Sequence, residues 1–436
     1  MKKAFLRTLG CKVNQFETAA FKHELEDKGI AVVDTLEAAD LVIINTCTVT
    51  AKAGGESRRE VRKALRRNPR AQVVVTGCHA QLEYAELTAL RGLDTSRLTV
   101  IGNDDKGKLV DGILSGSTRE SRTHIVPASA ITEIAPLKVQ RFEGRTRAYL
   151  RVQDGCESYC SYCIVPYARG KSRSLPIADV LDQAAAYAES GHREIVITGI
   201  HIGRYGLDLS GDCHIVSLLD TVCKQFPGIR FRLSSIEPLE ISGALLDLVA
   251  STDNLMPHLH IPLQNGDSEV LKRMNRRYTA GQYADVIARC RQVLPDAAIG
   301  LDIMVGFPGE SEDHFNNSKN LIESIDCSYL HIFPYSRRPG TRAAGFTDQV
   351  DAEVKQRRVG ILHRLDREKR VSFYRRFLNT RRTALLETEK VSGNVLKGYT
   401  DNYIPIVADR PGTLPEQSVE VELLELTAAS VTARIV

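Results

Sequence analysis

Short apolar segments alternate with helix-like segments along most of this 436-residue chain. In residues 1–115 the apolar segments are Ala4–Leu9, Leu41–Ile44 and Val73–Val75, and a helix is predicted from about Gln15 to Lys28. Strands that are joined through helices form βαβ units, and these units build a parallel sheet. The first 115 residues therefore predict an α/β domain whose ligands lie at the carboxyl ends of its strands.

The alternation resumes between Arg145 and about Asp351 and predicts six further strand–helix units. The candidate strands are Tyr149–Val152, Glu194–Ile197, Arg230–Leu233, His258–Ile261, Ile299–Val305 and Tyr329–Phe333. Helical stretches such as Ile177–Glu189 and Ala280–Val293 separate several of them. Six units are fewer than the eight of a closed barrel, and in barrels the chemistry lies at the carboxyl ends of the strands.

Three cysteines, Cys156, Cys160 and Cys163, follow the first of these strands. Their close spacing lets one loop place three thiolates around one face of a metal cluster, and thiolate is the preferred ligand of iron–sulfur centres. The next cysteine is Cys213, so one iron of a four-iron cluster would be open to a substrate or cofactor. The alternatives are a zinc knuckle, which would need a fourth ligand close by, and three incidental thiols.

A second set of cysteines, Cys11, Cys47 and Cys78, falls one to three residues beyond three of the predicted strand ends. Parallel strands bring these positions to one edge of the sheet, although they are far apart in sequence. A single buried cysteine would more often be core packing, but three at equivalent positions indicate a second cluster with one open iron. The remaining cysteines share no spacing and are predicted to be ordinary thiols: Cys213, Cys223, Cys290 and Cys327.

Ten cysteines without a secretory signal indicate metal ligands in a reducing cytosol rather than disulfides. No apolar run approaches membrane-spanning length, so we expect a cytoplasmic protein. The net charge of +4 is mild, but six Lys or Arg lie between Arg58 and Arg67, and eleven face only two acidic residues between Lys355 and Arg382. Basic residues that are clustered in this way are typical of a surface that contacts the phosphate backbone of a nucleic acid. The alternative is a solvated amphipathic helix.

The Cys-x-x-x-Cys-x-x-Cys spacing after a strand resembles the signature of the radical S-adenosylmethionine (radical SAM) superfamily. This resemblance implies that the three cysteines hold a [4Fe-4S] cluster whose open iron chelates SAM, and that the six strands form a partial barrel. It also implies that Tyr162 lies near the adenine and that four strand-end residues contact SAM: Gly199, Ser235, Glu237 and Gln264. The alternative for each of the four is ordinary turn or capping chemistry.

The stretches Thr8–Gln15, Asn45–Val49 and Thr76–Gln81 resemble the N-terminal domain of the methylthiotransferases, which insert sulfur at an unreactive carbon and methylate it. In that family a second cluster, here on the cysteines of these stretches, carries the donated sulfur. The Gly-Cys-Lys-Val-Asn sequence of residues 10–14 is similar to the branch that acts on N6-threonylcarbamoyladenosine beside the tRNA anticodon.

The chain changes character after about Thr383. The segments Val391–Tyr399, Tyr403–Val407 and Val419–Leu424 are rich in β-forming residues and are separated by turn residues, which predicts a compact β-barrel. The stretch Gly398–Tyr403 resembles the TRAM domain, an RNA-binding barrel found at this place in the family. Earlier in the chain, His258 and His260 alternate along a strand and are interpreted as packed histidines or pocket lining.

The expected fold class is α/β with a β-barrel appended. Its parts are an N-terminal methylthiotransferase domain at 1–115, a linker at 116–145, a radical SAM partial barrel with a basic C-terminal helix at 146–370, and a TRAM barrel at 371–436. The expected cofactors are two [4Fe-4S] clusters and SAM. The expected partners are tRNA and a low-potential electron donor such as flavodoxin or ferredoxin, without a membrane and with the protein as a monomer.

The resemblance implies a transferase that converts N6-threonylcarbamoyladenosine to its 2-methylthio derivative. Sulfur would be inserted by radical SAM chemistry, and a second SAM would supply the methyl group. The alternatives within the family are the same chemistry on isopentenyladenosine or on a ribosomal protein. An alternative of another class is an RNA-binding iron–sulfur sensor without catalysis. No catalytic acid or base is assigned.

Overall fold

The computed structural model describes residues 2–117, 123–390, 395–409 and 417–436, without the side chains of 388–390. Residues 118–122 of the predicted linker at 116–145 and the first four residues of the predicted β-rich segment Val391–Tyr399 lie outside the described residues. The elements that are described form three parallel sheets with helices, one short two-stranded antiparallel pair and one closed barrel. No helix in the described ranges is both long and apolar enough to cross a bilayer.

The N-terminal sheet has six parallel strands in the order β2-β1-β3-β4-β5-β6. The strands are β1 Lys3–Thr8, β2 Ala31–Val32, β3 Leu41–Thr46, β4 Gln72–Gly77, β5 Leu98–Ile101 and β6 Thr123–His124. Every residue of β3 is buried because helices cover both faces of a parallel sheet. The last strand lies within the predicted linker, so the sheet continues beyond residue 115.

Four helices connect these strands: α1 Lys12–Asp27, α2 Ala51–Arg67, α3 Cys78–Thr88 and α4 Leu109–Ser115. α2 begins at Thr50, whose side-chain oxygen accepts a hydrogen bond from the backbone N–H of Ala53. It buries Val61 and Leu65 against the sheet and leaves its arginines on the outer side. α1 and α3 begin at Cys11 and Gly77 without a cap from the side chains of these residues. In the first turn of α3 the hydroxyl oxygen of Thr46 accepts a hydrogen bond from the backbone N–H of Ala80 instead.

The central part is a curved, six-stranded half barrel. Two three-stranded parallel sheets, β7-β10-β11 and β12-β13-β14, are linked by the bridges Phe231↔Leu255 and Ser235↔His260. The strands are β7 Arg147–Arg151, β10 Glu194–Thr198, β11 Arg230–Leu233, β12 His258–His260, β13 Ala298–Val305 and β14 Tyr329–Pro334, and the short pair β8 Gln153–Asp154 and β9 Arg173–Ser174 follows β7. All six strands expected from the sequence are confirmed.

Helices cover the convex face of the half barrel. They span Val165–Arg169, Ile177–Glu189, Ile215–Gln225, Gly243–Ser251, Ser268–Arg273, Ala280–Val293, Glu312–Ser324 and Ala352–Arg375. The residues that pack against them, such as Leu150, Ile197, Leu259 and Leu301, are apolar and fully buried in one large core. Side chains alternate along a strand, so the concave face carries the intervening residues, which are mostly polar.

The C-terminal strands close into a barrel in the order β15-β16-β17-β19-β18. They span β15 Arg381–Lys390, β16 Val395–Thr400, β17 Pro405–Asp409, β18 Ser418–Leu426 and β19 Val431–Ile435. The helix Ala352–Arg375 runs across the predicted boundary at residue 370 and leads directly into this barrel. The barrel shares a hydrophobic core with Ala298 and Tyr329 at the amino-terminal ends of β13 and β14.

Candidate functional site

The structure brings Cys11, Cys47 and Cys78 together at the carboxyl edge of the N-terminal sheet. Cys11 precedes α1, Cys47 follows β3, and Cys78 begins α3. Gly10 has a φ of +94°, and a Cβ placed on it would lie 2.6 Å from the Cys47 sulfur, so only glycine fits before Cys11. The three thiols are close enough for Cys78 and Cys11 each to affect the titration of Cys47.

A buried polar network surrounds these thiols. Its members are almost wholly shielded from solvent: Asn14, Glu17, Lys106, Arg151, Asp154 and Arg169. Lys106 Nζ lies 2.5 Å from Glu17, and Arg169 donates to Asp154 at 2.9 Å and to Glu17 at 3.1 Å. The Arg169 Nε–H also points at the Cys78 sulfur at 3.3 Å.

The charges of this network do not balance. Three cations, Lys106, Arg151 and Arg169, face two carboxylates, Glu17 and Asp154. Burial favours the neutral carboxyl, yet Lys106 and the two arginines hold the pKa of Glu17 at about 2. A buried surplus of positive charge is costly unless an anion lies beside it. Cysteine thiolates supply that anion, so the donor set fits a thiolate-bound metal cluster.

The thiols themselves lie in a shielded environment. Burial raises the pKa of Cys47 to about 11, and burial also raises the pKa of Cys11 against the opposing charge of Arg169. Cys11 is the exposed member of the set, whereas Cys47 and Cys78 are buried. A metal ion stabilises the thiolate form and offsets this desolvation cost.

The other three cysteines, Cys156, Cys160 and Cys163, lie on the loop after β8. Gly155 precedes Cys156 with a φ of +78°, and a Cβ there would lie 1.8 Å from the carbonyl oxygen of Lys171. Asn275 Nδ2 donates to the carbonyl of Tyr159 at 3.0 Å, and the backbone N–H of Ser161 donates to the carbonyl of Met274 at 2.9 Å. The loop is therefore fixed from the outside by residues 274–275, so its three thiols are held in place.

Two basic side chains contact this loop. His201 Nδ1 lies 3.4 Å from the Cys156 sulfur, and its Nε2 lies 2.6 Å from Glu240. Burial favours a neutral ring, but the hydrogen bonds to Cys156 and Glu240 outweigh it and raise the pKa of His201 to about 10. The Arg276 guanidinium donates to the Cys160 sulfur at 3.4 Å and pairs with Glu237. Both contacts favour thiolate over thiol.

The sequence did not single out His201, Arg276, Lys106 or Arg169. His201 is 45 residues from Cys156, and Arg276 is 116 residues from Cys160. Nothing in the local pattern of residues separates these basic side chains from the many others of the chain. The tertiary fold alone brings them to the sulfurs.

The five residues predicted to contact SAM lie around this loop in different surroundings. Glu237 lines a cleft together with Cys160, His201, Glu240 and Arg276, whereas the other four lie outside the residues that line it. Gly199 packs directly on Gln153, Ser235 bridges β11 to His260, and Gln264 has a φ of +63° at the end of β12. Tyr162 packs against the cluster of Phe307 and Tyr335. Their contacts with SAM stay predictions.

The two histidines of β12 lie on the concave face of the half barrel, and both are buried. The structure supplies the partner that the sequence lacked: His260 Nε2 lies 2.9 Å from Asp302, and His331 Nδ1 lies 3.4 Å from the same carboxylate oxygen. His258 lies 2.7 Å from the Tyr329 hydroxyl. The histidine rings of this face therefore contact one carboxylate and one hydroxyl group. We call the three residues His260, Asp302 and His331 the lumen cluster.

The two basic segments differ in the structure. On α2, Arg59, Arg62, Lys63 and Arg66 are exposed along one side. In the segment after Lys355 several arginines pair with acids: Arg358 with Glu310, Arg370 with Asp366, Arg376 with Asp326 and Arg382 with Asp401. Lys63 lies 4.0 Å from Glu60, whereas Arg59, Arg62 and Arg66 have no ion pair among the described residues and can meet an external anion. Part of the second segment instead stabilises the fold.

Comparison with known proteins agrees with this architecture. A family model described as "Uncharacterized protein family UPF0004" matches residues 3–96, and the model of the radical SAM superfamily matches residues 150–322. The radical S-adenosylmethionine methyltransferase TsrM from Kitasatospora setae is similar in fold, with a TM-score of 0.55 and 17% identity over 76% of this chain and 73% of that chain. Fold and site therefore define a radical SAM enzyme, a class that uses SAM and a [4Fe-4S] cluster.

Curated relatives show to which family of radical SAM enzymes the chain belongs. The threonylcarbamoyladenosine tRNA methylthiotransferase MtaB of Bacillus subtilis is 38% identical over 98% of this chain and 94% of its own length. The protein of the same name from Aquifex aeolicus is 38% identical over 93% and 96%. A tRNA-2-methylthio-N(6)-dimethylallyladenosine synthase of Fusobacterium nucleatum is 31% identical over 91% and 88%. The chain belongs to the radical SAM methylthiotransferase family, and it is a transferase.

Proposed function

We propose that this enzyme converts N6-threonylcarbamoyladenosine beside the anticodon of tRNA to its 2-methylthio derivative. Relatives named for this substrate are 34–38% identical over at least 92% of the chain. Relatives named for the dimethylallyl nucleoside are 28–31% identical. The difference in identity favours the threonylcarbamoyl substrate, and the sequence of residues 10–14 favours the same branch.

The observation that carries the chemical part of the proposal is the link between the two cysteine sets. Arg169 donates to the Cys78 sulfur and to Asp154, which lies two residues before Cys156. Asn14, three residues after Cys11, accepts from the same guanidinium at 2.7 Å. One rigid, buried network thus fixes both sets relative to each other, as a reaction that uses both sites on one substrate atom requires.

We infer that Cys156, Cys160 and Cys163 hold the cluster that binds SAM, and that Cys11, Cys47 and Cys78 hold an auxiliary cluster that donates sulfur. When bound, these groups supply the radical chemistry and the sulfur atom that an inert C–H bond needs. The protein residues hold the thiolates and neutralise their charge: His201 and Arg276 at the loop, Arg169 and Lys106 at the sheet edge. Burial of Cys47 and Cys78 limits the access of water to the auxiliary site.

The RNA has to present a single unstacked base to this site, because a stacked purine cannot reach a concave pocket. The helix α2, which carries the exposed arginines, begins four residues beyond Cys47 in the same domain, and its arginines suit phosphates that flank the base. The C-terminal barrel supplies a second surface at the other end of the half barrel. We propose a monomer that takes electrons from a low-potential donor such as flavodoxin or ferredoxin.

Mass spectrometry of nucleosides from a strain that lacks this gene tests the proposal. We expect the methylthio form of threonylcarbamoyladenosine to disappear and its unthiolated parent to accumulate. Expression of the intact gene should restore the methylthio nucleoside, whereas a gene with Cys47→Ala should not. An unchanged nucleoside in the deletion strain would refute the assignment.

The same experiment tests the alternatives. Loss of the methylthio form of isopentenyladenosine would point to the other tRNA substrate, and loss of a methylthio group from a ribosomal protein would point to a protein substrate. A sensor without catalysis would leave all three products intact, and the purified protein would not cleave SAM.

A further inference from the structure

Three side chains on the concave face of the half barrel bring possible metal-ligand atoms close together, and neither cysteine set includes them. They form the lumen cluster, with His260 on β12, Asp302 on β13 and His331 on β14. Each offers one nitrogen or oxygen atom, and these atoms all lie within 4.8 Å of one another. In the described part of the chain, no other group of three histidine, cysteine, aspartate or glutamate side chains has its ligand atoms this close together.

The register of the strands places the three residues together. β12, β13 and β14 are neighbours in one parallel sheet, and Asp302 lies directly opposite His331. His260 lies opposite Gly300, two residues before Asp302 on the same face of β13. A Cβ on Gly300 would lie 2.1 Å from the ring of Tyr329, so the glycine leaves room for this tyrosine beside His260. The cluster is therefore built on strands, which hold side chains more precisely than a loop does.

The distances between the ligand atoms suit a single metal ion. His260 Nε2 lies 2.9 Å from Asp302 Oδ1, and His331 Nδ1 lies 3.4 Å from the same oxygen. Around an ion with metal–ligand bonds of about 2.1 Å, two ligand atoms are about 3.0 Å apart at a right angle and about 3.4 Å apart at the tetrahedral angle. A hydrogen bond explains the first distance equally well, but the second is longer than the usual N–H···O range of about 2.7–3.2 Å.

A tyrosine holds the second ring nitrogen of His260. His260 Nδ1 lies 3.2 Å from the Tyr329 hydroxyl, and this hydroxyl lies 2.7 Å from Nε2 of His258. In the tautomer in which Tyr329 donates to His258, the hydroxyl oxygen accepts from the Nδ1–H of His260, and Nε2 of His260 then directs a lone pair at Asp302. Two acceptors that face each other in this way need a cation between them. Histidine ligands of metals are commonly oriented by such a contact on their second nitrogen.

The cluster is anchored in the barrel and is open to an ion from the lumen. The exposed fraction of the side chain increases from 8% for His260 to 22% for Asp302 and 52% for His331. The second carboxylate oxygen of Asp302 and Nε2 of His331 have no hydrogen-bond partner among the described residues. Three protein ligands leave coordination positions open for water or another oxygen ligand, and these positions would face the lumen.

We propose that the lumen cluster binds one divalent first-row transition-metal ion, at a site separate from both cysteine sets. The ligands are His260 Nε2, His331 Nδ1 and a carboxylate oxygen of Asp302. Two imidazoles and one carboxylate suit ions such as Fe²⁺, Co²⁺ and Zn²⁺. This donor set contains no thiolate, so an ion bound here is distinguishable from the iron of a cysteine-bound cluster. The inference does not depend on the identity of the RNA substrate.

Equilibrium dialysis of the cluster-loaded protein against Co²⁺ tests the proposal, because cobalt is counted separately from cluster iron. The proteins are the wild type, His331→Ala, Asp302→Asn and His363→Ala. His331 is half exposed, so its replacement leaves the core intact. His363→Ala removes another exposed histidine, on the helix Ala352–Arg375, and is the control. Mass spectrometry of the metals gives the cobalt and iron content, and cobalt X-ray absorption identifies the ligand atoms.

We expect the wild type and His363→Ala to bind one Co²⁺ per chain through nitrogen and oxygen ligands only. His331→Ala and Asp302→Asn should bind it about 100-fold more weakly at unchanged iron content, since even loss of a group that only orients a ligand weakens metal binding by about 10- to 100-fold. If Asp302→Asn loses iron, His331→Ala decides the outcome. Equal binding by the wild type and His331→Ala, sulfur ligands on the cobalt, or no binding by the wild type would overturn the inference.

Discussion

Arg169 and Arg276 point guanidinium N–H groups at cysteine sulfurs, at 3.3 Å from Cys78 and 3.4 Å from Cys160. Each arginine is also tied to a carboxylate, Asp154 or Glu237, which fixes its orientation. A guanidinium stays charged at all accessible pH values and donates in a fixed geometry. The two cysteine sets therefore share one arrangement of residues: in each set a cysteine sulfur lies beside a guanidinium that is permanently charged and is held in place by a carboxylate.

The two cysteine sets should be separable by substitution. Replacement of Cys156, Cys160 and Cys163 by Ala should abolish SAM cleavage while about half of the iron stays bound, because the other set is intact. Replacement of Cys11, Cys47 and Cys78 should spare SAM cleavage and stop thiolation. Iron and sulfide content and the yield of 5′-deoxyadenosine measure both effects. Thiolation of RNA by the second variant would contradict the donor role.

Arg169 should matter for stability as well as for the sulfur contact. The substitution Arg169→Met removes the hydrogen bonds that both carboxylate oxygens of Asp154 accept at 2.9 and 3.0 Å and leaves this carboxylate buried with only more distant cations. We expect the free energy of unfolding to fall by about 3 kcal/mol or more. Arg62→Met on the exposed side of α2 is the control and should change it by less than about 0.5 kcal/mol. Urea unfolding of both variants measures the difference, and equal effects would show that the network is not stabilising.

Titration of Glu194 makes the free energy of unfolding depend on pH in the acidic range. Burial favours its neutral form, but Arg232 and Arg230 outweigh this effect and hold its pKa at about 2. Because the folded-state pKa lies below the value of about 4.3 in the unfolded chain, the stabilisation is present above that value and is lost as the pH falls toward 2.

We expect Glu194→Gln to flatten this response. Between about pH 6 and pH 3 the wild type should lose roughly 2 kcal/mol more of its free energy of unfolding than the variant does, since each pKa unit corresponds to about 1.4 kcal/mol. Urea unfolding at a series of pH values measures the two curves. Parallel curves would mean that Glu194 does not titrate differently in the folded protein.

At the scale of elements, the C-terminal barrel is docked on the amino-terminal ends of the half-barrel strands. Tyr403 is the centre of the contact: its ring lies 4.4 Å from that of His258 and 4.9 Å from the Arg232 guanidinium. Arg232 also donates to the backbone carbonyl of Asp401, and Arg147 pairs with Glu387. Cation–π and charged contacts of this kind each stabilise the folded state by about 0.5–2 kcal/mol.

The substitution Tyr403→Ala should therefore loosen this junction. We expect the melting temperature to drop by several degrees and the chain to become sensitive to protease near residues 376–380, where the last helix meets β15. Tyr403→Phe keeps the ring and should stay close to the wild type in both tests. Thermal unfolding and limited proteolysis measure the effects, and equal behaviour of the two variants would refute the role of the ring.

At the scale of the whole molecule, the binding surfaces lie on different parts of the chain. Cys11, Cys47, Cys78 and the exposed arginines of α2 belong to the N-terminal domain, the loop that carries Cys156, Cys160 and Cys163 belongs to the half barrel, and the C-terminal barrel lies at the opposite end of the half barrel. An RNA that reaches the lumen can therefore contact several of these parts at once. The net charge is only +4, but several exposed arginines lie together on α2, and others lie on the helix Ala352–Arg375.

Neutralisation of the α2 face should weaken RNA binding without affecting SAM chemistry. The variant Arg59→Gln/Arg62→Gln/Arg66→Gln should lower tRNA affinity and reduce the slope of log K against log salt by about one for each lost phosphate contact. Lys224→Gln on the outer helix Ile215–Gln225 is the control and should leave both unchanged. Filter binding at several salt concentrations measures the slopes; identical slopes would exclude α2 from the RNA interface.

Much of this architecture was determined by local sequence. Apolar strands such as Leu41–Ile44 and capped helices such as Ala280–Val293 can be predicted from the sequence, because burial and backbone geometry determine the spacing of the apolar residues. The positions of Cys11, Cys47 and Cys78 after strand ends also predicted their meeting, since parallel strands share one carboxyl edge. The spacing of Cys156, Cys160 and Cys163 within one loop needed no tertiary information.

Only the tertiary structure decided which charged residues meet these sulfurs and which line the lumen. His201, Arg169 and Lys106 resemble many other basic residues in sequence, and what distinguishes them is burial beside a particular thiol. Asp302 and His331 come from neighbouring strands 29 residues apart, so their contact depends on strand register. Distance along the chain carries no information about such contacts, because long loops and helices separate residues that the folded core brings together.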